Sequence, residues 1–375
     1  MNSKFKAVLM ILMSFALFFG FLHLFVPDGK TYNFERLHIF LFNLCSGGTI
    51  VLYFTENRKT PSGKVILFCV LATAYAIFAF LKIYIPAMII ALILAGITET
   101  VRIRKFTVFP INFFRTSAAV SEKFHQASLL CLSIGLVISC LVILNNEYLK
   151  ILSFKKLKLD TFFLGFSFPL SLITMSVMFS FMKDDLKQVT RILKNIGFWV
   201  INLGVITFFM FILFEKLGLQ LVITTVLFMT VIMIFYLFGT SALQMQQKSF
   251  LISGMIFLLV TAVTGIFYII LEFFPAYYTP DTSHLLLKIH SFASLYGWNL
   301  SGLSVICRYE DFPIRLHSKS VIVFHWITVI LLAPLGLYSR TAAAGAIICY
   351  TVFLYLIFSS EGIHHRRLDI IRSEG

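Results

Sequence analysis

Two histidines, His38 and His290, each stand near the start of a long apolar run, about one turn inside it for His38 and about two turns for His290. A neutral imidazole nitrogen is a good ligand for iron, and a low-spin haem needs one such nitrogen on each axial face. A histidine inside an apolar run needs a partner, because an unpaired ring nitrogen is costly where there is no water. The pair therefore points to a metal or haem clamped between two helices. His125, near the start of another run, and His325, about two turns inside its own, form a second pair nearer the opposite end. They suit a cofactor, a quinone headgroup or a proton, or plain polar packing.

The elements that must position these residues follow from composition. The chain has 375 residues, 59% hydrophobic and 13% charged, with 43 Phe and a mean hydropathy of +0.92. Such a balance is that of an integral membrane protein, not of a soluble domain. A run of about 20 apolar residues crosses the hydrocarbon core as a helix that satisfies its own backbone. Runs fall near 5–26, 35–55, 65–81, 83–97, 124–145, 161–182, 195–214, 219–241, 250–271, 284–306, 319–337 and 341–359. The expectation is an all-α polytopic bundle of about twelve transmembrane helices in one domain. Lys82 and Pro86 interrupt the third and fourth runs, which are either two spans or one long kinked helix. The longest connection, Thr98 to Lys123, reads as a basic connector with one short surface helix. The first run follows Lys4 and Lys6 but continues to Pro27 without a small-residue cleavage site, and reads as an uncleaved span.

Basic residues orient the bundle, because short cytoplasmic loops collect Lys and Arg. With both termini cytoplasmic, most of the 31 Lys and Arg fall inside, among them Arg58, Lys59, Arg104, Lys105, Arg115, Lys187, Arg191, Arg308, Arg315, Arg366 and Arg367. Lys150, Lys155, Lys156 and Lys158 go against this bias and read as an interfacial segment. The net charge of +14 then points to anionic lipid of the cell's inner (plasma) membrane and not to nucleic acid. The six cysteines form no CxxC pair and read as small apolar packing. No P-loop, dinucleotide fingerprint, HExxH or nucleophile elbow is present.

The helix order, the early histidine of the second run and the stretch from Asp281 through His284 and Lys288 to His290 resemble the catalytic subunit of haem-copper oxidases. The likeness is to its divergent, shortened relatives, including nitric-oxide-associated membrane proteins. The resemblance implies that His38 and His290 hold a b-type haem, and that Arg340, Lys288 and Arg36 serve its propionates. In that family two histidines separated by one residue open the tenth helix, and Lys288 stands where the high-spin haem ligand would be. The family's copper ligands come from the sixth and seventh helices. The corresponding runs here, 161–182 and 195–214, contain no histidine, so no copper centre is expected.

Gly47, Gly48, Gly297 and Gly302 leave the second and tenth runs short of bulk, which either admits a flat macrocycle or lets helices pack closely. Trp298, Asn299, Asn43 and Ser46 suit the surroundings of a cofactor or simple core filling, and Glu99 with Arg102 reads as a salt-bridged helix end. Two functions remain. One is a haem protein for electron transfer or small-gas and nitrogen-oxide chemistry, with quinol or another redox partner. The other is a cofactor-free transporter or assembly scaffold. The acidic residues fall near the ends of runs, which disfavours ion coupling through a buried carboxylate.

Overall fold

A computed structural model describes residues 1–26, 33–154, 156–157, 163–183, 187–243, 246–309 and 319–360. Lys155, Lys158, Arg315, His317, His364, His365, Arg366, Arg367, Arg372 and the C-terminus lie outside the described residues. Among the described residues the chain is helical, with one isolated bridge between Met182 and Ala242. We number the helical rods α1 (Ser3–Leu22), α2 (Phe34–Glu56), α3 (Gly63–Phe80), α4 (Tyr84–Lys105), α5 (Val120–Leu149), α6 (Phe163–Ser180), α7 (Gln188–Leu213), α8 (Leu217–Ser241), α9 (Gln246–Glu272), α10 (280–307), α11 (Lys319–Leu335) and α12 (Arg340–Ser359). Ten of these are long and apolar enough to cross a membrane; α11 is shorter, and α10 joins three helical segments end to end. Their outward faces are apolar, with Leu203, Val222, Met229 and Ile348 all exposed, as befits a multi-pass membrane protein.

Local chemistry sets where the rods begin and end. Side-chain oxygens of Asn2, Asn33, Ser62, Thr279 and Ser339 accept from free backbone N–H groups in the first turns of α1, α2, α3, α10 and α12. Lys82 takes a left-handed backbone with φ 61°, and α3 stops before it. The third and fourth runs are therefore two helices, not one kinked one. Glu215, with φ 54°, turns the chain in the same way between α7 and α8.

Several rods outrun their apolar stretches, because backbone bonding does not stop where the hydropathy falls. The fourth continues to Lys105 instead of 97, and the seventh starts at Gln188 instead of 195. Glu99 and Arg102 pair at 2.6 Å on that extra length of α4, as expected of them. The connector shrinks to 106–119 and holds only a three-residue 3-10 turn, Ile111–Phe113, in place of a surface helix. Arg102 anchors its start by donating to the carbonyls of Thr107 and Val108, each at 3.0 Å.

Small residues draw the central rods together. A Cβ on Gly135 would run into the backbone of Gly165, so α5 and α6 touch chain to chain. The glycines of α2 and α10 are likewise filled. Gly47 lies against Leu170, Gly48 against Phe68, Gly297 against Phe257 and Gly302 against Thr174. At these four positions the glycines serve close helix packing. Valine at Gly302 would strike Thr174 and should lower stability by about 1–3 kcal/mol or more. Alanine at Gly96, whose Cβ meets nothing within 4 Å, should change it by less than about 1 kcal/mol. Thermal unfolding of both variants in detergent checks this contrast; equal effects would refute the packing account.

Candidate functional site

His38 lies on α2, two residues before the helix widens into a π segment over Phe40–Gly48. Its ring is buried against α1, with Nδ1 3.0 Å from the carbonyl of Ala16. His290 lies on α10, three residues before a second π segment, Ala293–Asn299. It is half-buried, and its Nδ1 is 2.9 Å from the carbonyl of Thr261 on α9. A carbonyl can only accept, so a hydrogen bond to it puts the proton on Nδ1 and leaves the lone pair on Nε2, and the Tyr296 hydroxyl oxygen beside His38 Nδ1 then accepts as well. Neither Nε2 has a hydrogen bond among the described residues.

The same backbone device builds both contacts. In an α-helix the carbonyl of residue i points along the axis beside residue i+4. Gly20 and Gly265 stand four residues after Ala16 and Thr261. With no side chain there, each carbonyl is open to an outside donor in addition to its helical bond. A Cβ at Gly20 would come within 3.0 Å of His38 Nδ1, and one at Gly265 within 3.2 Å of His290 Nδ1. Gly20, Gly265, Ala16 and Thr261 escaped the sequence analysis. The signal was a glycine inside each helix preceding a histidine, readable only once the hairpin partner is known.

Adjacency of α2 and α10, which spacing alone does not supply, comes from two contacts. Lys288 forms an ion pair with Glu35, and the Tyr296 hydroxyl lies 2.8 Å from His38 Nδ1. Both contacts advance in the same chain direction, so the helices run parallel. Glu35 precedes His38 by three residues and Lys288 precedes His290 by two. The ion pair ties the helices near His290, and the Tyr296 contact draws His38 toward a point further along α10.

The other expected site residues are dispersed. Lys288 is engaged by Glu35. Arg36, two residues and thus about 200° round the helix from His38, lines a small cavity with Tyr84, Asn146 and Glu147. Arg340 is exposed in the first turn of α12. His23 and His284 are exposed. Trp298 donates to Ser171 at 3.0 Å and Asn299 bonds Ser171 and Ser167, holding α10 to α6. Asn43 is buried with no partner for its carboxamide among the described residues.

His125 and His325 are held by different neighbours. His125 Nε2 lies 2.8 Å from Thr55 Oγ1, which itself donates to Val51, and the ring stacks on Phe54. His325 Nε2 lies 2.6 Å from the carbonyl of Tyr296, and its ring stacks on Phe353 at 4.2 Å. An apolar cavity of about 660 Å³ between α5, α6 and α7 has no histidine in its wall. All six cysteines are free thiols. Among the described residues no group of three or more His, Cys, Asp or Glu gathers to hold a metal ion.

Valine at Gly20 or Gly265 should push the imidazole off its carbonyl and destabilise the protein by about 1–3 kcal/mol, since the displaced N–H loses a buried partner. Phenylalanine at Tyr296 keeps the ring and should cost only about 0.5–1.5 kcal/mol. Thermal melts of the three variants measure this order, and a harmless Gly20→Val would contradict the glycine's role. Comparison with protein-family models, with curated proteins and with solved structures found no match for this chain.

Proposed function

We propose that the protein is a multi-pass inner-membrane protein of about twelve spans, both termini cytoplasmic, that binds one b-type haem between His38 and His290. The observation that carries this reading is the shared hydrogen bonding of the two imidazoles. Each is held through Nδ1 at a helix carbonyl, which leaves Nε2 without a hydrogen bond among the described residues and free to act as a ligand. A hydrogen bond from the second ring nitrogen to a carbonyl is the usual support of a metal-bound histidine, fixing tautomer and raising basicity. The two residues stand on parallel, ion-paired helices, and together would supply two nitrogen donors to such a group. The runs that would carry the resembled family's copper ligands, 161–182 and 195–214, hold no histidine.

When bound, such a haem supplies a one-electron couple, and ligation by two histidines favours electron transfer over gas reduction, which needs an open iron position. Within this reading the protein's own work is positional. Ala16 and Thr261 hold the rings, Gly20 and Gly265 make room for them, and the Glu35–Lys288 pair ties the two helices outside the apolar zone. Lys288, by exchanging its carboxylate partner, and Arg340, exposed in the first turn of α12, are the cations to serve propionates. Arg36 faces elsewhere and is the weaker candidate. A quinol or another redox partner is the class of donor.

Reduced-minus-oxidised spectra of protein purified from haem-sufficient cells should show a low-spin haem, with about one iron and no stoichiometric copper per chain. His38→Ala and His290→Ala should each lose it. Absence of a carbon monoxide shift in the wild type supports a closed electron-transfer site, and a shift would point to gas chemistry. A haem-free wild type would refute the proposal and leave transport or scaffolding.

A further inference from the structure

At the end of the bundle opposite the histidine pair, the ends of α2 and α4 enclose a cavity of about 310 Å³. Arg58, Arg104 and Lys105 line it, together with Thr55, Glu56 and Asn57. Asn57 closes α2 in the left-handed conformation, with φ 51°, and so turns the chain to bring Arg58 into the wall. Among the described residues Arg58 and Arg104 have no ion pair, and Lys105 feels the carboxylate of Glu122 from outside the cavity wall. Lys105 lies 6.0 Å from the centre of the Phe54 ring and 5.9 Å from that of Phe106. Glu56, the one acid of the wall, keeps a buried oxygen without any partner.

Basic side chains at helix C-termini have an ordinary role in offsetting the helix dipole, which amounts to about half a negative charge per end. Within the wall, two helix ends and one carboxylate leave three cations with a net positive charge in a concave site, Glu122 offsetting Lys105 from outside it. The shape and charge suit a phosphate group, which arginine binds through its forked donors.

The neighbouring connector says where the rest of that ligand lies. Val108, Phe109, Ile111 and Phe114 are exposed there, Phe109 and Phe114 by 73% and 75%. Arg102 pins the start of this segment to the end of α4. A row of exposed aromatic and aliphatic side chains beside a basic cavity is a surface for the boundary between headgroups and acyl chains. A soluble phosphate compound would have no use for it.

We infer that the cavity formed by Arg58, Arg104 and Lys105 binds the phosphate of an anionic phospholipid, whose acyl chains lie against the Val108–Phe114 connector. The site does not depend on haem or on His38 and His290.

The test uses the full-length protein in nanodiscs and in detergent, with phosphatidylglycerol and phosphatidylcholine as probes. Native mass spectrometry should find phosphatidylglycerol retained in preference to phosphatidylcholine. Arg58→Gln with Arg104→Gln should reduce that preference roughly tenfold or more, given the attraction of each basic residue for anionic lipid. Arg58→Lys with Arg104→Lys should keep most of it, and Arg115→Gln, outside the cavity, should leave it unchanged. Equal retention of the two lipids by the wild type overturns the inference without recourse to any variant. An undiminished preference in the double glutamine variant overturns the assignment to this cavity. Full displacement of the lipid by millimolar inorganic phosphate would make the ligand a soluble phosphate and overturn the lipid assignment.

Discussion

An apolar interior without water leaves no imidazole N–H without a partner at tolerable cost. In a bundle whose backbone carbonyls are consumed by their own helices, an acceptor for a histidine is scarce. The chain meets this constraint by opening particular carbonyls. Gly20 uncovers Ala16 for His38, and Gly265 uncovers Thr261 for His290. The third instance, His325 to Tyr296, uses a carbonyl within a π segment instead, where the regular i to i+4 ladder is already interrupted. Each histidine thereby ties its own helix to the preceding one. The positions of α1 against α2, α9 against α10 and α10 against α11 depend on these ties as much as on apolar contact.

Wide-helix segments accompany the same three residues. His38, His290 and His325 are each followed within three residues by a π segment, at Phe40, Ala293 and Ile327. A π segment shifts every later side chain round the axis relative to an α-helix. One rod can thus present a histidine to one neighbour and its glycines to another. In α10, His290 faces α9 while Gly302, beyond the π segment, receives Thr174 of α6. π segments are uncommon and concentrate at functional sites, and their alignment with the histidines sets these helices apart from plain spans such as α7 and α8.

The runs of apolar residues and the end of α4 with Glu99 and Arg102 were legible in the sequence, because hydropathy and charge are local properties. The faces were not. A soluble helix declares its buried side by alternating polar and apolar residues, but a helix facing lipid is apolar all round. Gly297 and Gly302 therefore read equally as room for a cofactor and as close packing, until Phe257 and Thr174 are seen filling them. Arg36 read as a companion of His38 for the same reason, since nearness in sequence says nothing of the angle between side chains two residues apart. Helix ends were misjudged where charged residues extend a rod past its apolar stretch, as with Arg102 and Lys105. The pairing of α2 with α10 rests on the Glu35 and Tyr296 contacts, across more than 250 residues, a distance no local pattern encodes.

Tyr296 joins these separate ties into one unit. Its hydroxyl meets His38 on α2, its carbonyl accepts from His325 on α11, and its ring lies edge-on to Phe42 and to Tyr350, each at 4.9 Å between centroids. Four helices are thus registered on one side chain and its backbone. Around it the polar account does not close: His325 Nδ1 and the Tyr350 hydroxyl are buried without partners among the described residues, each at a cost of about 1–3 kcal/mol. Such a cost is borne only where the surrounding packing over-determines the arrangement, and Phe250, Phe257 and Phe353 enclose the His325 ring on three sides. The rigidity that keeps His325 in place passes through Tyr296 to His38. The imidazole on α2 is therefore held from α10 as well as by its own hairpin.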